Sequence, residues 1–585
     1  MSAVLTVQEP SAKYLVNLQP PLVRHFDLIA RAPGGVARLR ELILTLAVQG
    51  KLVPQDPSDE PASELLKKIR AEKNRLIAEG KIKRDKPLAQ IGDDEKPFQI
   101  PAGWSWEPLG SLGKIFSGNS INAAEKEAKF AGVAGLPFIA TKDVGYGLER
   151  LDYENGIRIP LSEHGLKVAH AGAVLMCAEG GSAGKKCGLA DQDICFGNKL
   201  FANEPYAGIS SKFILFVYLA PYFFDSFKSS MTGIIGGISL AKFLELPIPL
   251  PPLAEQSRIV TRVEELMQLC DALEACGQLE AQQHAQLVNT LLGTLTQNET
   301  PEALADNWQR IATHFDVLLD RPSSVDALEQ TILQLAVRGL LVPQDPTDEP
   351  ASVLLQKIRT EKDQLIAQGK IKRDKPLPPI TDEEKPFELP KGWSFARISD
   401  LVEMLNGYAF KSEWFKSTGT RLLRNLNISH GNVDWSQPAC IDANAANEFS
   451  QFDLKVGDVV LSLDRPIIST GLKYAVIKEV DLPCLLLQRV ARLAPKQHAM
   501  SLDFLELWLQ SDLFVGRIDP GRSNGVPHIS TKQVGELFVG LPPITEQSRI
   551  VTRVNELRSF CADLRQRLTA GQKAQAHLAD ALVTV

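Results

Sequence analysis

Apolar residues first take up a clear helical period in VARLRELILTLAVQG. There Leu39, Leu42, Ile43, Leu46 and Ala47 share a face, and Gly50 suits the position just past a helix end. A proline-punctuated turn, VPQDPSDEP, follows, and its Asp59, Glu60 and Pro61 make a good helix start. ASELLKKIRAEKNRLIAEG then sets Leu65, Leu66, Ile69, Leu76 and Ile77 on one side of a helix that Gly80 ends. The strongest pattern comes later in the chain. Ile259, Val263, Leu266, Cys270 and Leu273 are spaced 4-3-4-3, and Ile550, Val554, Leu557, Cys561, Leu564 and Leu568 are spaced 4-3-4-3-4. That is the seam of a coiled coil, on helices of about 38 residues and about 57 Å. The stretches between are different in kind, short apolar runs broken by glycine turns. Leu136–Ala140, Ala173–Cys177, Val459–Ser462 and Tyr474–Ile477 predict strands, and Ser211–Phe224 and Leu502–Leu509 predict helices.

These patterns occur twice. LAVQGKLVPQDPSDEPAS (Leu46–Ser63) returns as LAVRGLLVPQDPTDEPAS (Leu335–Ser352), GKIKRDKPL at Gly80 returns at Gly369, and PAGW at Pro101 returns as PKGW at Pro390, all offset by 289. LPPLAEQSRIVTRVEEL at Leu250 returns as LPPITEQSRIVTRVNEL at Leu541, offset by 291, and HFD at His25 returns at His314. A period this long is a duplicated multi-element unit, not a solenoid. Similar fronts and backs enclose middles of nearly equal length and little identity. The expected organisation is a helical frame over 1–100, a mixed domain over 101–254 and a spacer helix over 255–298. The second copy has a frame over 299–389, a mixed domain over 390–545 and a spacer helix over 546–585. The expected fold class is α+β: two mixed α/β domains in a pseudo-two-fold tandem repeat, spaced by long helices forming an intramolecular antiparallel coiled coil. Ile259, Val263, Leu266 and Leu273 would pair with Ile550, Val554, Leu557 and Leu564.

Composition narrows the chemistry. At roughly 100–200 residues per domain, 585 residues make several domains. The longest apolar run, near Phe213–Phe224, is too short to span a bilayer, and the start lacks a basic region followed by an apolar one. Eight cysteines without a CxxC pair read as free thiols rather than a zinc site, so a soluble cytoplasmic protein with no metal is expected. EGGSAGKKC (Glu179–Cys187) has Glu179 where a phosphate loop needs glycine and Lys186 where it needs Ser or Thr. HExxH is absent. The proline pairs at Pro251 and Pro542 follow leucine, unlike the Asn/Asp-Pro-Pro-aromatic motif of amino-methylating enzymes. His25 and His314 sit at matched frame positions and read as structural. The expectation is a protein with no catalysis of its own.

The repeated stretch GKLVPQDPSDEPASELLKKIRAEKNRLIAEGKIK, its copy at 339–372, and the two PLPPLAEQSRIV and GLPPITEQSRIV segments resemble the specificity subunit of type I restriction-modification systems. The resemblance covers essentially the whole chain. In the middles, GLPFIATKDV, GAVLMCAEGGSAGKKCGLA and GGISLAKFLELPIPLPP resemble the skeleton of target-recognition domains. GDVVLSLDRPIISTGLKYAVI and PHISTKQVGELFVGLPP follow in the same order. The resemblance implies two domains, each reading half of a bipartite, asymmetric double-stranded DNA target. It also implies two docked modification (methyltransferase) subunits and two restriction (translocase/nuclease) subunits. S-adenosylmethionine, ATP and Mg would sit on those partners, with no cofactor and no membrane contact for this chain. A protein-only scaffold is the main alternative, and a self-contained DNA methylase or nuclease a weaker one.

Charge qualifies the expectation. The chain carries net charge −6. Residues 101–254 hold 13 Lys/Arg against 14 Asp/Glu, and 391–545 hold 16 against 16, so attraction to phosphate must come from clustering on one side or from the partner subunits. Base reading favours Arg and Lys for guanine and Asn and Gln for adenine, from loops that reach a groove. The candidates are Lys142, Ser182, Lys185, Lys186, Asn198 and Lys199 in the first middle. In the second they are Arg424, Asn425, Arg465, Gln488, Arg489, Arg522, Ser523, Asn524 and His528.

Overall fold

The computed structural model describes residues 28–80, 88–163, 165–232, 236–297, 301–370, 380–469, 471–496, 499–518, 521–523 and 526–583. Two compact units form, one from residues up to 279 together with those from 572, the other from 280 to 571. Among the described residues no helix is long and apolar enough to cross a membrane. Residues 81–87 and 371–377 of the two GKIKRDKPL copies, and the residues His25–Asp27, lie outside the described residues.

In the first unit, α1 (Gly35–Val48) and α2 (Ala62–Ala78) precede the strands. Helix α2 begins at Ala62, just past the expected start at Asp59–Pro61, since Pro61 is extended and Asp59 is paired with Arg258. β1 (Ser105–Pro108) and β2 (Gly113–Ser117) come next, then β3 (Leu136–Ile139), β4 (Val174–Cys177), β5 (Cys187–Leu189), β6 (Ile194–Phe196) and β7 (Leu200–Pro205). One sheet runs β2-β7-β4-β5, all antiparallel. In a second sheet β3 pairs in parallel with β6. The expected single helix over 211–224 is two helices, α3 (Ser211–Leu219) and α4 (Pro221–Ser229). Pro221 drives Ala220 to an extended conformation (ψ 139°), which ends the first helix. β8 (Pro247–Leu250) returns antiparallel to β1 and leads into α5 (Leu253–Thr296), longer than expected at 44 residues.

The second unit repeats the plan with α6 (Pro322–Val337), α7 (Ala351–Ala367), β9 (Ser394–Arg397), β10 (Val402–Asn406), β11 (Thr420–Leu423), β12 (Val459–Ser462), β13 (Tyr474–Val476), β14 (Cys484–Leu486), β15 (Val490–Pro495), α8 (Leu502–Gln510), β16 (Phe538–Leu541) and α9 (Ile544–Val583). β10-β15-β12-β13 matches the first sheet, the β11–β14 parallel pair matches the second, and β9 pairs with β16.

The repeated words of the sequence meet at one buried junction in each unit. Glu255, 1% exposed, accepts from the Trp104 indole N–H (2.8 Å) and the Gln55 amide (2.5 Å). Arg258 grips Asp59 with two hydrogen bonds (3.1 and 2.6 Å). Gln256 accepts from the Ser210 N–H, and the Gly103 carbonyl accepts the first amide of α2. The second unit builds the same set from Glu546, Trp393, Gln344, Arg549, Asp348, Gln547, Ser501 and Gly392. Gly50 (φ +69°) and Gly339 (φ +75°) are fixed twice over. Each turns left-handed, and a Cβ on either would strike the nearby proline and tryptophan rings.

Burial holds the Glu255 and Glu546 carboxyls above the ordinary carboxylate range, against the opposing hydrogen bonds from tryptophan and glutamine. The folded chain thus keeps these protons to higher pH than the unfolded chain. Their contribution to stability is full below the ordinary value of 4.5 and is lost as pH rises through the raised value. Glu255→Gln with Glu546→Gln removes both titrations. Urea unfolding across that window is expected to show the variant gaining on the wild type as pH rises, and a constant difference would count against it.

The seam residues are buried or partly buried, but the 259–273 set and the 550–564 set lie in separate cores rather than pairing with each other as expected. Ile259, Val263, Leu266 and Cys270 share a core with Leu39, Ile43 and Ala47 of α1, and Arg40 ties α1 to Asp271 (2.6 Å) and Glu274 (2.9 Å); Leu273 is partly buried there. Ala579, from the end of α9, joins that same core, and Asp580 pairs with Arg38 (2.7 Å). In the second unit Ile550, Val554 and Cys561 meet Val325, Leu328 and Ile332 of α6, with Leu557 and Leu564 partly buried. The end of α5 contributes Val288, Leu292 and Leu295. Each seam therefore packs against a front helix as well as sharing a core with the far end of the other long helix.

Candidate nucleic-acid interface

In each unit four segments are tied together at one rim of the sheets. In the first they are a single 3-10 turn after β3 (Thr141–Asp143), the β4–β5 loop, the β6–β7 turn and a returning stretch at 236–238. The buried Asp143 carboxylate accepts from the Ala140 N–H (2.8 Å) and pins the 3-10 turn. The Ala178 N–H donates to the Lys199 carbonyl (2.8 Å), Asn198 to Asn119 (3.0 Å), Gly180 to Gly236 (2.9 Å) and Ile238 to Ala178 (3.0 Å). The Lys186 ammonium donates to the Thr141 carbonyl (3.1 Å).

The second unit repeats each bond with other residues. Leu463 donates to Arg489 (2.9 Å), Gln488 to Tyr408 (2.8 Å), Arg465 to Pro527 (2.8 Å) and Ile529 to Leu463 (2.8 Å), all through backbone N–H groups. The Lys473 ammonium donates to the Asn425 carbonyl, and buried Asn427 takes the place of Asp143. Burial holds the Lys473 amine below the usual lysine range. One scaffold of six bonds thus presents two different sets of side chains.

Of the first set, Lys142, Lys185, Asn198 and Lys199 are exposed on the rim. Ser182 is half-buried beside the Tyr146 hydroxyl (3.5 Å), and Lys186 is spent on the Thr141 carbonyl, its ammonium 5.0 Å from the Tyr146 ring. Of the second set, Arg465, Gln488 and Arg489 are exposed, and Arg489 reaches Asp464 at 3.6 Å. The Arg424 guanidinium is used internally, on the Asn427 side chain (3.3 Å) and the Gln437 carbonyl, and Asn425 lends its carbonyl to Lys473. His528 is half-buried and bridges Asp464 through its backbone. Arg522 and Ser523 lie on a short ribbon, Gly521–Ser523 against Val526–His528, and Asn524 lies outside the described residues.

Two exposed rim residues escape a search for charge and amides. Tyr146 is 61% exposed, and Leu426 is 49% exposed in the centre of the second 3-10 turn, where the first unit has Lys142. Glycine on both sides of Tyr146 was the signal for the first; the second has none in the sequence. Backbone geometry adds a sharper mark. Among the described residues only three non-glycines hold positive φ, and two of them are Arg465 (+45°) and Arg489 (+73°). A left-handed conformation costs such a residue about 1 kcal/mol.

The model of the type I restriction modification DNA specificity domain matches residues 101–282 and 390–571, more than half of the chain and once in each copy of the repeat. The chain belongs to that family. It is 48% identical over 551 residues to the type I restriction enzyme EcoAI specificity subunit of Escherichia coli, covering 94% of this chain and 93% of that one. It is 34% identical to the EcoEI specificity subunit of Escherichia coli, with the same coverage. A crystal structure of the HsdS subunit from Thermoanaerobacter tengcongensis aligns over 84% of this chain and 97% of that one, at 17% identity and a TM-score of 0.38. The chain is thus a specificity subunit with two recognition domains, and the six-bond rim lies within both matched segments.

Proposed function

We propose that each rim reads one half of a bipartite, asymmetric double-stranded DNA target and that the chain makes or breaks no bond itself. The observation carrying this reading is the rim built twice on one hydrogen-bond scaffold with unlike residues at matched places. Lys142 stands against Leu426, Gly180 against Arg465, and Asn198–Lys199 against Gln488–Arg489. A shared scaffold with exchanged exposed groups is what two readers of different sequences need.

The repeated frames, 1–100 and 299–389, would offer equivalent seats to two methylating subunits. S-adenosylmethionine, and the ATP and Mg of two restriction subunits, would be held by those partners in the cytoplasm. Domains over 101–254 and 390–545 would be the readers, and the spacer helices over 255–298 and 546–585 would set the unread gap. The exposed residues Lys142, Lys185, Asn198, Lys199, Arg465, Gln488 and Arg489 are the first-choice contacts, with Ser182, Tyr146 and Leu426 beside them.

Footprinting of the chain assembled with its methylating partner tests the reading. Two protected patches separated by an unread gap are expected, with adenine methylation in cells mapping to one split sequence. No protection, with assembly intact, would favour a protein-only scaffold.

A further inference from the structure

The β4–β5 loop of the first unit and the β12–β13 loop of the second turn at the same place. In the first, Gly180 (φ +87°) donates its N–H to the Gly236 carbonyl; in the second, Arg465 (φ +45°) donates to Pro527. A Cβ built on Gly180 meets nothing within 4 Å, so the position faces open space. The second unit therefore keeps a long cationic side chain at a turn that glycine fills without strain in the first. Nothing in the packing requires the guanidinium: Arg465 is exposed, and among the described residues it meets no acceptor. Its neighbour Arg489 differs, tethered by Asp464 at 3.6 Å.

We infer that Arg465 is a specificity-determining residue of the second unit and that it reads a guanine in that unit's half-site. This rests on the reading of the rims as DNA readers. A planar guanidinium on a pinned turn can donate two parallel hydrogen bonds to guanine O6 and N7, and no other base offers that pair of acceptors in the major groove. Matched Gly180 offers no side chain, so the first unit lacks this contact.

The test uses the full chain in complex with its methylating partner and duplexes carrying the mapped target, each base pair replaced in turn. In the wild type, replacing one G·C pair of one half-site is expected to weaken binding about tenfold or more. Arg465→Gly installs the residue the turn already accepts. It is expected to melt no lower than the wild type and to bind the original and the G·C-replaced duplex alike, with discrimination in the other half-site unchanged. Arg465→Lys keeps the charge and is expected to lose most of the same discrimination. Uniform weakening on every duplex with a shallower salt dependence in Arg465→Gly, restored by Arg465→Lys, would mark a phosphate contact and overturn the assignment. Intact discrimination in Arg465→Gly would overturn it too. A wild-type complex that discriminates at neither half-site would instead sink the DNA-reading proposal itself.

Discussion

Glu255→Ala is expected to cost the first unit about 2–3 kcal/mol, chiefly from the buried Trp104 indole N–H left without an acceptor, at about 1–3 kcal/mol for such a donor. The indole N–H of Trp104 has no other partner at the junction, whereas Gln55 keeps its bond to the Gly50 carbonyl (3.1 Å). Indole desolvation therefore dominates. Glu255→Gln keeps one acceptor oxygen and should cost far less. The duplication supplies an internal control, because Glu546→Ala removes the same acceptor from Trp393 and Gln344 in the other unit. Hydrogen exchange on the intact chain is the measurement. Glu255→Ala should speed exchange in α1 and the first turns of α5 and leave α6 and the first turns of α9 protected, with the reverse for Glu546→Ala. Equal protection in both variants would mean that the junction is not what fastens the front helices.

That junction also marks how far the sequence could be read. The repeated words are visible by inspection, and they predict a shared frame. That Glu255, Gln55, Trp104, Asp59 and Arg258 form one cluster is not visible, because the partners lie 151 to 200 residues apart along the chain. Only the fold decides which repeated residues touch. The strands and the long helices follow from local period, and they lie where that period puts them. The break at Pro221 was missed because the apolar run continues through it, although the pre-proline restriction on Ala220 was there to be read. The rim behaves differently. Charge marks Lys142, Lys186, Arg424 and Arg465 alike as candidates, yet Lys186 and Arg424 spend their donors on backbone carbonyls inside the protein while Lys142 and Arg465 are exposed. Composition cannot separate a brace from a reader, since the distinction is one of direction. The sign of φ at Arg465 is equally silent in sequence, because the two loops differ in length and glycine at 180 does not visibly align with arginine at 465.

Leu266→Asp is expected to have the larger effect of all, and Leu557→Asp at the matched seam position a smaller one. Leu266 is 3% exposed and shares a core with α1, whereas Leu557 is only partly buried on α9. Truncating a buried leucine costs about 2–5 kcal/mol. Aspartate adds the desolvation of a carboxylate, so it either carries an uncompensated charge into that core or is held protonated. Together these exceed about 5 kcal/mol, comparable with the whole stability of a typical domain. Both cations of α1 are already engaged, Arg40 by Asp271 and Glu274 and Arg38 by Asp580, and neither can neutralise a further acid without giving one up. Loss of the seam should therefore unfasten α1 from α5 before it disturbs the strands, which share that core through Val174 and Met176 of β4 but hold a second core around Ile139, Leu175 and Phe196 that does not use the helix. In guanidinium unfolding followed by exchange, Leu266→Asp should lose protection in α1 and α5 at low denaturant while β4 and β6 persist. Leu557→Asp should shift the midpoint of its own unit by less than half as much. A larger loss at Leu557 than at Leu266 would mean that the seam's burial is set by the far end of the other long helix rather than by the front helix beside it.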